Sequence, residues 1–569
     1  MKTIELLKNL KDKNIEIEIV NGELDIIVNN DNLSKELHTH IKNNKEELLE
    51  YFNEDSQIHI PLNFTYNDLK LKEYKILLID NELDDSDIDD IYTLSPLQEG
   101  FLFHSMMDME SSAYFEQISL DIKGYLDVSL VEKSWQLVVN RHDPLRTMFL
   151  SDFKIPLQIV LKNRNIDFSY MDIIEEDNKE KSIYEIRRVD RKNSFDLKTD
   201  PLFRIKLIKK EEDQYTLILS FHHIILDGWC MSLIISEFIE NYEKLSNNED
   251  ISLVSPPRYS EYISWLNNKY RDSDLEYWRS YLDGYEELAT VLKDSTCNYE
   301  ANLEQLNYTF SIYDEHTSAL KKIADETGVT LNTIIQTIWG VVLSKYNGTD
   351  DVVFGSTVSA RPQEIDRIEE MVGLFINTIP VRIKADKDKS FKQVALEVQR
   401  EALNCIDFHH SSLAEIQGNS RLGSSLLDHI MVFENYPMDK ALQGNNSALL
   451  EVGKIESFEQ SNYDFGITVF PVVSLGIRFS YNPEKYSEEL IERIASHIKK
   501  AINEIVVDND IIIGAIGIIP AEEKNLLLNI FNDTKSEYPK DKTIIQLFEE
   551  QVEKTPDNIA VVFENVVTL

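Results

Sequence analysis

The sequence feature that most constrains this chain is the stretch 220–229, SFHHIILDGW, in which an alternating apolar segment meets paired histidines and then Asp-Gly. Bulky apolar residues at every second position before the histidines predict a strand. Apolar residues at helical spacing after Asp227-Gly228 predict a helix. Successive side chains of a strand point to opposite faces, so His222 and His223 cannot both face one substrate. We expect one histidine to be packed and hydrogen-bonded inside and the other to reach a cleft.

Two interpretations of this stretch stay open. In the structural one, adjacent histidines end a core strand, Asp227 caps the helix and Gly228 eases the turn. In the functional one, a histidine handles a proton near neutral pH, the task for which its side chain is best suited. Any single residue here favours the structural interpretation. The whole pattern of His-His, three residues and Asp-Gly is much rarer by chance.

Length, charge and cysteine content restrict the class of protein. A chain of 569 residues is too long for one core, and about three to five folding units are expected. The 58 Lys and Arg against 100 Asp and Glu give a formal net charge of −42, which argues against nucleic acid and membrane as partners. The scattered Cys230, Cys297 and Cys405 lack metal spacing, so no metal is predicted. Without a signal peptide or membrane-spanning run, we expect a cytoplasmic protein.

The His222–Gly228 pattern resembles the HHxxxDG motif of condensation domains in non-ribosomal peptide synthetases, which are similar in fold to chloramphenicol acetyltransferase. Other stretches resemble the further motifs of this family, and they occur in the expected order. These stretches are 94–104, 141–147, 259–265, 372–382, 409–413, 432–437 and 461–464. The resemblance covers about 90–520.

The resemblance implies an α/β (α+β) fold with two chloramphenicol-acetyltransferase-like lobes that form a V around a central tunnel. The N-terminal lobe is expected at 90–266 and the C-terminal lobe at 267–520, after an acidic linker at 56–89. Residues 543–560 resemble the first helix and strand of an adenylation domain, so 521–569 is expected to be a linker and the truncated start of such a domain. The chain is therefore expected to be a fragment of a longer synthetase.

Four residues of the central motif are the catalytic candidates that the resemblance implies. His223, the second histidine, is expected to hold or deprotonate the acceptor amine, beside His222. Gly228 is expected to leave space, and its N–H to lie near the developing oxyanion. In the family an arginine of the second motif pairs with the motif aspartate. Here Arg146 would pair with the carboxylate of Asp227, so that Asp227 would have a structural role.

Other residues in the family motifs are expected to support the site. Trp229 follows the glycine directly, Asn377 lies in the fifth motif and Ser461 begins the stretch 461–464. One departure is Asp143, which stands where the second motif of the family has Glu.

Residues 1–55 predict a separate small unit with the order α-β-β-α-α. Alternating residues on both sides of Asn21-Gly22 predict a hairpin. The unit resembles the N-terminal docking domains of the tubulysin-synthetase type, which receive the C-terminal tail of an upstream subunit. In these domains the second strand usually offers an open edge for the tail. Docking residues are therefore expected at Asn21, Gly22, Glu23, Leu24, Asp25, Ile26, Ile27 and Val28.

The docking strand is acidic, so we expect an upstream tail with Lys or Arg. The alternative for 1–55 is an accessory to the main domain.

The predicted reaction is amide formation between a donor thioester and an acceptor amino acid, each on a carrier protein. No cofactor is expected on this fragment, because the partner carriers bring the phosphopantetheine. The motifs at 94–104 and 222–229 resemble the condensation domains that follow an epimerisation domain, so the donor is expected to be D-configured at its C-terminal residue. The alternatives are an epimerisation domain of the same fold and a catalytically silent recruitment platform.

Overall fold

The architecture is taken from a computed structural model, and the chain divides into two compact units, Met1–Gly517 and Ile518–Leu569. The described residues are 6, 15–20, 23–28, 35–45, 48, 64–107, 113–251, 255–269, 272–294, 304–434, 450–471, 474–559, 561–563 and 566–568. Within these ranges, none of the helices combines the length and the apolar composition needed to cross a membrane.

The predicted N-terminal hairpin and the helix after it are confirmed. Strand β1 (Ile15–Val20) pairs antiparallel with β2 (Glu23–Val28), and helix α1 (Lys35–Asn43) follows. Val20 lies opposite Glu23, with two residues between them in the sequence. Those two residues, Asn21 and Gly22, lie outside the described residues. The first and third predicted helices are described only at the buried Leu6 and Leu48.

The rest of the first unit mixes strands and helices along the chain. Its strands are β3 (Ile88–Thr93), β4 (Phe115–Lys123), β5 (Thr147–Leu150), β6 (Leu157–Leu161), β7 (Asp167–Asp172), β8 (Phe203–Glu211), β9 (Gln214–His222), β10 (Leu306–Ser311), β11 (Asp351–Ser359), β12 (Ile376–Lys384), β13 (Ile430–Phe433), β14 (Glu451–Phe458), β15 (Phe465–Pro471) and β16 (Leu475–Tyr481). Its helices are α2 (Leu71–Asp80), α3 (Pro96–Met107), α4 (Val128–Arg141), α5 (Lys179–Arg191), α6 (Gly228–Ser246), α7 (Tyr259–Lys269), α8 (Asp272–Tyr281), α9 (Asp314–Thr327), α10 (Leu331–Asn347), α11 (Phe391–Asn404), α12 (Leu413–Gly418) and α13 (Glu488–Val507).

Among the described residues, three sheets organise the part of this unit that follows the β1–β2 hairpin. A five-stranded sheet has the order β14-β4-β9-β8-β7, a six-stranded sheet has the order β10-β16-β15-β13-β11-β12, and β3, β6 and β5 form a smaller sheet. The predicted strand before the histidines is β9, which lies inside its sheet between β4 and β8. Helices α4 and α6 pack together, with Trp135 stacked on Phe238 at a centroid distance of 4.4 Å. Core aromatic stacking of this kind helps to hold α6 against α4.

Two elements differ from what the sequence indicated. The stretch 56–89 is not only a linker, because α2 lies within it and buries Tyr74, Leu77 and Leu78. Strand β14, which falls in the predicted C-terminal lobe, pairs antiparallel with β4 of the first sheet. The two halves of the unit are therefore joined by a strand as well as by side-chain contacts.

The second unit consists of short elements. Helix α14 (Ala521–Asn525) leads into a π-helical turn (Leu526–Ile530), followed by α15 (Ile544–Lys554) and the hairpin of β17 (Val561–Phe563) and β18 (Val566–Thr568). Thr543 and Gln546 form a capping box at the start of α15. The assignment of this unit to the start of an adenylation domain stays a prediction.

Candidate functional site

One histidine of the pair was predicted to be packed, and the structure shows that it is His222. It is 5% exposed at the end of β9, and its Nδ1 accepts a hydrogen bond from the Ile224 N–H at 3.1 Å. Its Nε2 lies 3.3 Å from the Ser105 hydroxyl. Burial, with a smaller contribution from His223, lowers the pKa of His222 to about 3. His222 is therefore neutral near pH 7 and holds the turn rather than carrying charge.

His223 is only partly buried, and one hydrogen bond fixes its ring. Its Nδ1 lies 2.8 Å from the Leu226 carbonyl oxygen. A carbonyl oxygen only accepts, so Nδ1 carries the proton and Nε2 keeps its lone pair in the neutral ring. The His223 N–H donates to the Tyr114 carbonyl at 2.9 Å, which extends the β4–β9 pairing by one residue. The geometry presents Nε2 as an oriented proton acceptor.

Aromatic rings surround the histidine pair. Phe101 of α3 lies 5.7 Å from the His223 ring and stacks on Tyr114 at 4.0 Å. Tyr114 also approaches the His222 and His104 rings. The sequence analysis did not identify Phe101 or Tyr114. The apolar face of α3 is a signal for Phe101, but only the fold brings it to the histidines.

Gln98 links the opening motif to the histidine turn. Its side-chain amide donates to the Ile224 carbonyl at 3.0 Å, and its Oε1 accepts from the Ser95 N–H at 2.9 Å. Gln98 is 1% exposed, so both contacts are shielded from water and hold the turn firmly. The sequence shows a helix start here but does not show what the glutamine contacts.

The predicted pair between Arg146 and Asp227 is wrong. Arg146 lies in a short 3₁₀ turn, Asp143–Arg146, and its guanidinium contacts Asp143 at 2.8 Å and Asp89 at 3.5 Å. The i,i+3 spacing of that turn places the aspartate of its own motif within reach, so the arginine is used locally. Arg146 therefore supports the second motif rather than the histidine loop.

Asp227 is instead held by α6 and by the segment before β12. Its side chain accepts from the Cys230 N–H at 3.3 Å, as an N-cap, and from the Phe375 N–H at 3.0 Å. The guanidinium of Arg361 lies 3.5 Å from the same carboxylate. Asp227 is 1% exposed, so these contacts offset the cost of burying a charge. Arg361 follows β11, and the sequence alone gave it no role.

Arg361 also organises the neighbouring loop. It donates to the carbonyls of Ile368 at 2.7 Å and Met371 at 3.0 Å, and it lies over the Phe375 ring at 3.9 Å. The indole Nε1–H of Trp229 donates to the carbonyl of Glu369 in this loop at 3.3 Å. Trp229 thus joins the motif to the loop that Arg361 holds.

A glycine permits close approach in the same loop. A Cβ at Gly373 would lie 2.2 Å from the ring of Tyr259, which is 1% exposed and donates to the Leu374 carbonyl at 2.8 Å. The Asp227 N–H also donates to the Gly373 carbonyl at 3.3 Å. Only a residue without a side chain lets the loop reach both neighbours.

The remaining predicted residues lie at several places. Gly228 is the first residue of α6, so its N–H belongs to the helix N-terminus, where N–H groups lack intrahelical partners. Asn377 donates to the carbonyls of His409 at 2.8 Å and Ser411 at 2.7 Å and so holds the 409–411 turn. Ser461 accepts from the Tyr463 N–H at 3.3 Å, in the loop after β14. The docking strand residues Glu23–Val28 form β2.

Two family models match the chain. One is the condensation domain, over residues 88–528, and the other is the TubC N-terminal docking domain, over residues 4–54. Together they cover most of the sequence.

Curated relatives at 39–40% identity are much longer proteins. The chain is 40% identical over 477 residues to bacitracin synthase 3 of Bacillus licheniformis, covering 84% of this chain and 8% of that protein. It is 39% identical over 485 residues to gramicidin S synthase 2 of Brevibacillus brevis, covering 84% of this chain and 11% of that protein. The chain thus spans only a small fraction of the length of these two relatives.

Solved structures show the same fold at low identity. The first condensation domain of the calcium-dependent antibiotic synthetase, in complex with substrate analogue 3a, has a TM-score of 0.64 at 17% identity and covers 76% of this chain and 100% of that chain. Holo-AB3403, a four-domain nonribosomal peptide synthetase bound to AMP and glycine, has a TM-score of 0.71 at 17% identity and covers 84% of this chain and 38% of that chain. The predicted α/β fold is confirmed.

Proposed function

We propose, since the chain belongs to the condensation-domain family of non-ribosomal peptide synthetases and carries a TubC-type docking domain, that it joins a carrier-bound donor to a carrier-bound acceptor through an amide bond. The observation that carries the proposal is the orientation of His223. Its Nδ1–H is engaged by the Leu226 carbonyl, and Nε2 is left with a lone pair for the acceptor amine.

The chemistry requires alignment and the removal of one proton. The acceptor nitrogen attacks the donor thioester carbon, a C–N bond forms, the C–S bond breaks and the thiol leaves. The amine loses a proton in this step. Nε2 of His223 either accepts that proton or holds the amine in position through a hydrogen bond. Alignment of the two thioesters lowers the activation free energy by about 7–11 kcal/mol at most. The N–H groups at the start of α6, including that of Gly228, are candidates to stabilise the oxyanion.

Carrier proteins are the proposed partners, and the phosphopantetheine they bring is substrate rather than a resident cofactor. An exposed apolar stripe on α3, formed by Phe103, Met106 and Met107, lies on the helix whose Phe101 contacts His223. Exposed patches of large apolar side chains are typical of protein contact sites. We place one carrier protein on this stripe. Its phosphopantetheine arm would then begin next to the histidines.

The docking unit is proposed to receive the tail of an upstream subunit. Its β1–β2 hairpin is a two-stranded sheet among the described residues, and a tail added along β2 would gain main-chain hydrogen bonds. The acidic residues Glu23 and Asp25 of β2 favour a basic tail. The donor is proposed to be D-configured, as the motifs at 94–104 and 222–229 indicate.

The test is amide formation with loaded donor and acceptor carriers. We expect wild-type protein to form product and His223→Ala to lose most turnover with an unchanged melting temperature. His316→Ala, on α9 and in edge contact only with Tyr313 among the described rings, is the matched control and should keep full turnover. Product from His223→Ala at the wild-type rate would reject the role of His223. Racemisation of a carrier-bound residue without amide product would indicate an epimerisation domain. Binding of carriers with neither reaction would indicate a recruitment platform.

A further inference from the structure

Tyr114 is a buried aromatic residue with a left-handed backbone, directly before β4. Its φ is 65°, and the residue is 6% exposed. In an L-amino acid this conformation brings Cβ close to the following carbonyl oxygen, so a bulky residue rarely adopts it. Such a conformation persists only where the surrounding contacts hold it, and residues of this kind cluster at functional sites.

Contacts with three segments of the chain hold Tyr114 in this conformation. Its carbonyl accepts from the His223 N–H at 2.9 Å, and its own N–H donates to the Gln460 carbonyl at 2.9 Å. Its ring stacks on Phe101 at a centroid distance of 4.0 Å. The positive φ turns the N–H and the ring away from the directions of a continued strand, while the carbonyl stays in line with β4. Tyr114 therefore joins β9, the loop after β14 and α3.

The carbonyl of Tyr114 anchors the chain where it leaves the sheet for the histidine turn. Phe115 lies opposite His222 at the end of the β4–β9 pairing, and the bond from His223 to Tyr114 lies one residue further on. A shift of this carbonyl would move the main chain of His223. It would also move the ring whose Nδ1–H is bonded to the Leu226 carbonyl.

The ring of Tyr114 is the second part of this anchor. Besides its stack on Phe101, it lies 6.0 Å from the His104 ring and 6.3 Å from the His222 ring. The Phe101 ring in turn lies 5.7 Å from the His223 ring. Aromatic pairs at these distances have preferred orientations, and close-packed interiors transmit a change of volume. A side chain without the ring would therefore release the backbone of Tyr114.

We propose that Tyr114 is a positioning residue for His223. Its ring holds the left-handed backbone, and its carbonyl fixes the main chain of His223. The inference rests on the proposed function, because His223 is the residue that handles the acceptor amine. Tyr114 acts through His223, so its loss should affect turnover only while His223 is present.

Amide formation by variants of the full chain, with loaded donor and acceptor carriers, tests this role. Tyr114→Leu should lower kcat by about a hundredfold, the loss that a misplacement of about 1 Å can cause, and leave KM for the acceptor carrier unchanged. Tyr114→Phe keeps the ring and should keep the wild-type kcat. The matched control is Phe310→Leu on β10, because Phe310 is also 6% exposed and lies 5.2 Å from the Phe479 ring. The control should lose a similar free energy of unfolding and keep its kcat.

Tyr114→Asn separates the effect of the ring from that of the backbone. Asn tolerates the left-handed conformation but has no aromatic ring. This variant should lose kcat as Tyr114→Leu does, and it takes the place of the Leu variant if that variant does not fold. A wild-type kcat for Tyr114→Asn would overturn the inference.

A double-mutant cycle distinguishes positioning from a purely structural role. In the His223→Ala background, Tyr114→Leu should cause no further loss of rate, although it should lower Tm as it does in the wild-type background. The inference would be overturned by an equal loss of rate in both backgrounds, or by a wild-type rate for Tyr114→Leu alone.

NMR spectroscopy of protein with isotope-labelled histidine supplies a readout that needs no turnover. The His223 signal is the one that is absent from His223→Ala. In the neutral ring of wild type the proton should stay on Nδ1, and in Tyr114→Leu it should be shared between the two nitrogens. A chain that forms no amide but shows this change refutes only the reaction. Amide formation with an unchanged rate and tautomer in Tyr114→Leu refutes only the positioning role.

Discussion

Arg361 and Asp227 form a buried ion pair between two distant parts of the chain, with 3.5 Å between the guanidinium and the carboxylate. Asp227 belongs to the histidine motif and Arg361 follows β11, so the pair crosses from one large sheet to the other. Both side chains are at least nine-tenths buried. The shape of the histidine turn therefore depends on a residue more than a hundred positions away.

Arg361→Ala should be strongly destabilising. Removal of one partner leaves the Asp227 carboxylate buried without its cation, which costs about 3–5 kcal/mol. The free energy of unfolding, measured by denaturant titration, should fall by about that amount. Asp227→Asn should cost less, because it removes the buried charge, and its amide oxygen still accepts from one of the two N–H groups, Cys230 or Phe375, that contact separate carboxylate oxygens in the wild type. The control is Arg367→Ala, which removes a pair at an exposed site; similar losses for Arg361→Ala and Arg367→Ala would refute the pair's importance.

His222 should make the protein less stable as the pH falls. Its pKa is about 3 in the folded chain and about 6.5 when unfolded. Below about pH 6.5 the unfolded state takes up a proton that the folded state does not, so the free energy of unfolding decreases until the pH reaches about 3. Above that window both states carry a neutral ring and the effect disappears.

His222→Asn tests this pH effect, because the Asn side-chain oxygen replaces Nδ1 as acceptor for the Ile224 N–H. Denaturant titrations at about pH 7 and about pH 5 should show a smaller loss of stability for the variant than for wild type. An equal loss in both proteins would show that other groups cause it.

The sequence predicted the local geometry of the histidine motif but not its long-range partners. Strand periodicity is a local property, and it was sufficient to predict that one histidine of the pair packs inside and the other does not; only the structure shows that the packed one is His222. The partner of Asp227 was mispredicted because no local pattern shows that Arg361, more than a hundred positions later, reaches its carboxylate. The 3₁₀ turn that directs Arg146 to Asp143 appears only in three dimensions.

Strand β14 illustrates the same limit at the level of the fold. Its residues alternate weakly, and nothing in them indicates that they pair with β4, more than three hundred positions earlier. Contacts between distant segments, such as this pairing and the Arg361–Asp227 ion pair, therefore define the frame of the site.

Deletion of residues 1–55 should abolish pairing with the natural upstream subunit and spare condensation at high carrier concentration. The docking unit and the histidine site use separate residues, so turnover with free carriers should be near wild type. Binding of an upstream tail to the intact chain should weaken as salt rises, because charges beyond about 10 Å are screened at 0.1 M. Glu23→Gln with Asp25→Asn should reduce that salt dependence. An acidic tail that binds tightly in high salt would contradict the predicted charge match.

The donor should be accepted in the D configuration at its C-terminal residue. The sequence 95–100, SPLQEG, with Phe103-His104, and the HHIILDGW stretch that ends at Trp229, are the residues on which this expectation rests. Inversion of the donor α-carbon exchanges the side chain and the hydrogen while the carbonyl stays beside His223. A wall shaped for one isomer then clashes with the other, which gives discrimination of about 1–3 kcal/mol. The measurement is product formation from an upstream carrier loaded with matched D- and L-terminated donors. The D donor should react at least about tenfold faster, and equal rates or a preference for the L donor would refute the prediction.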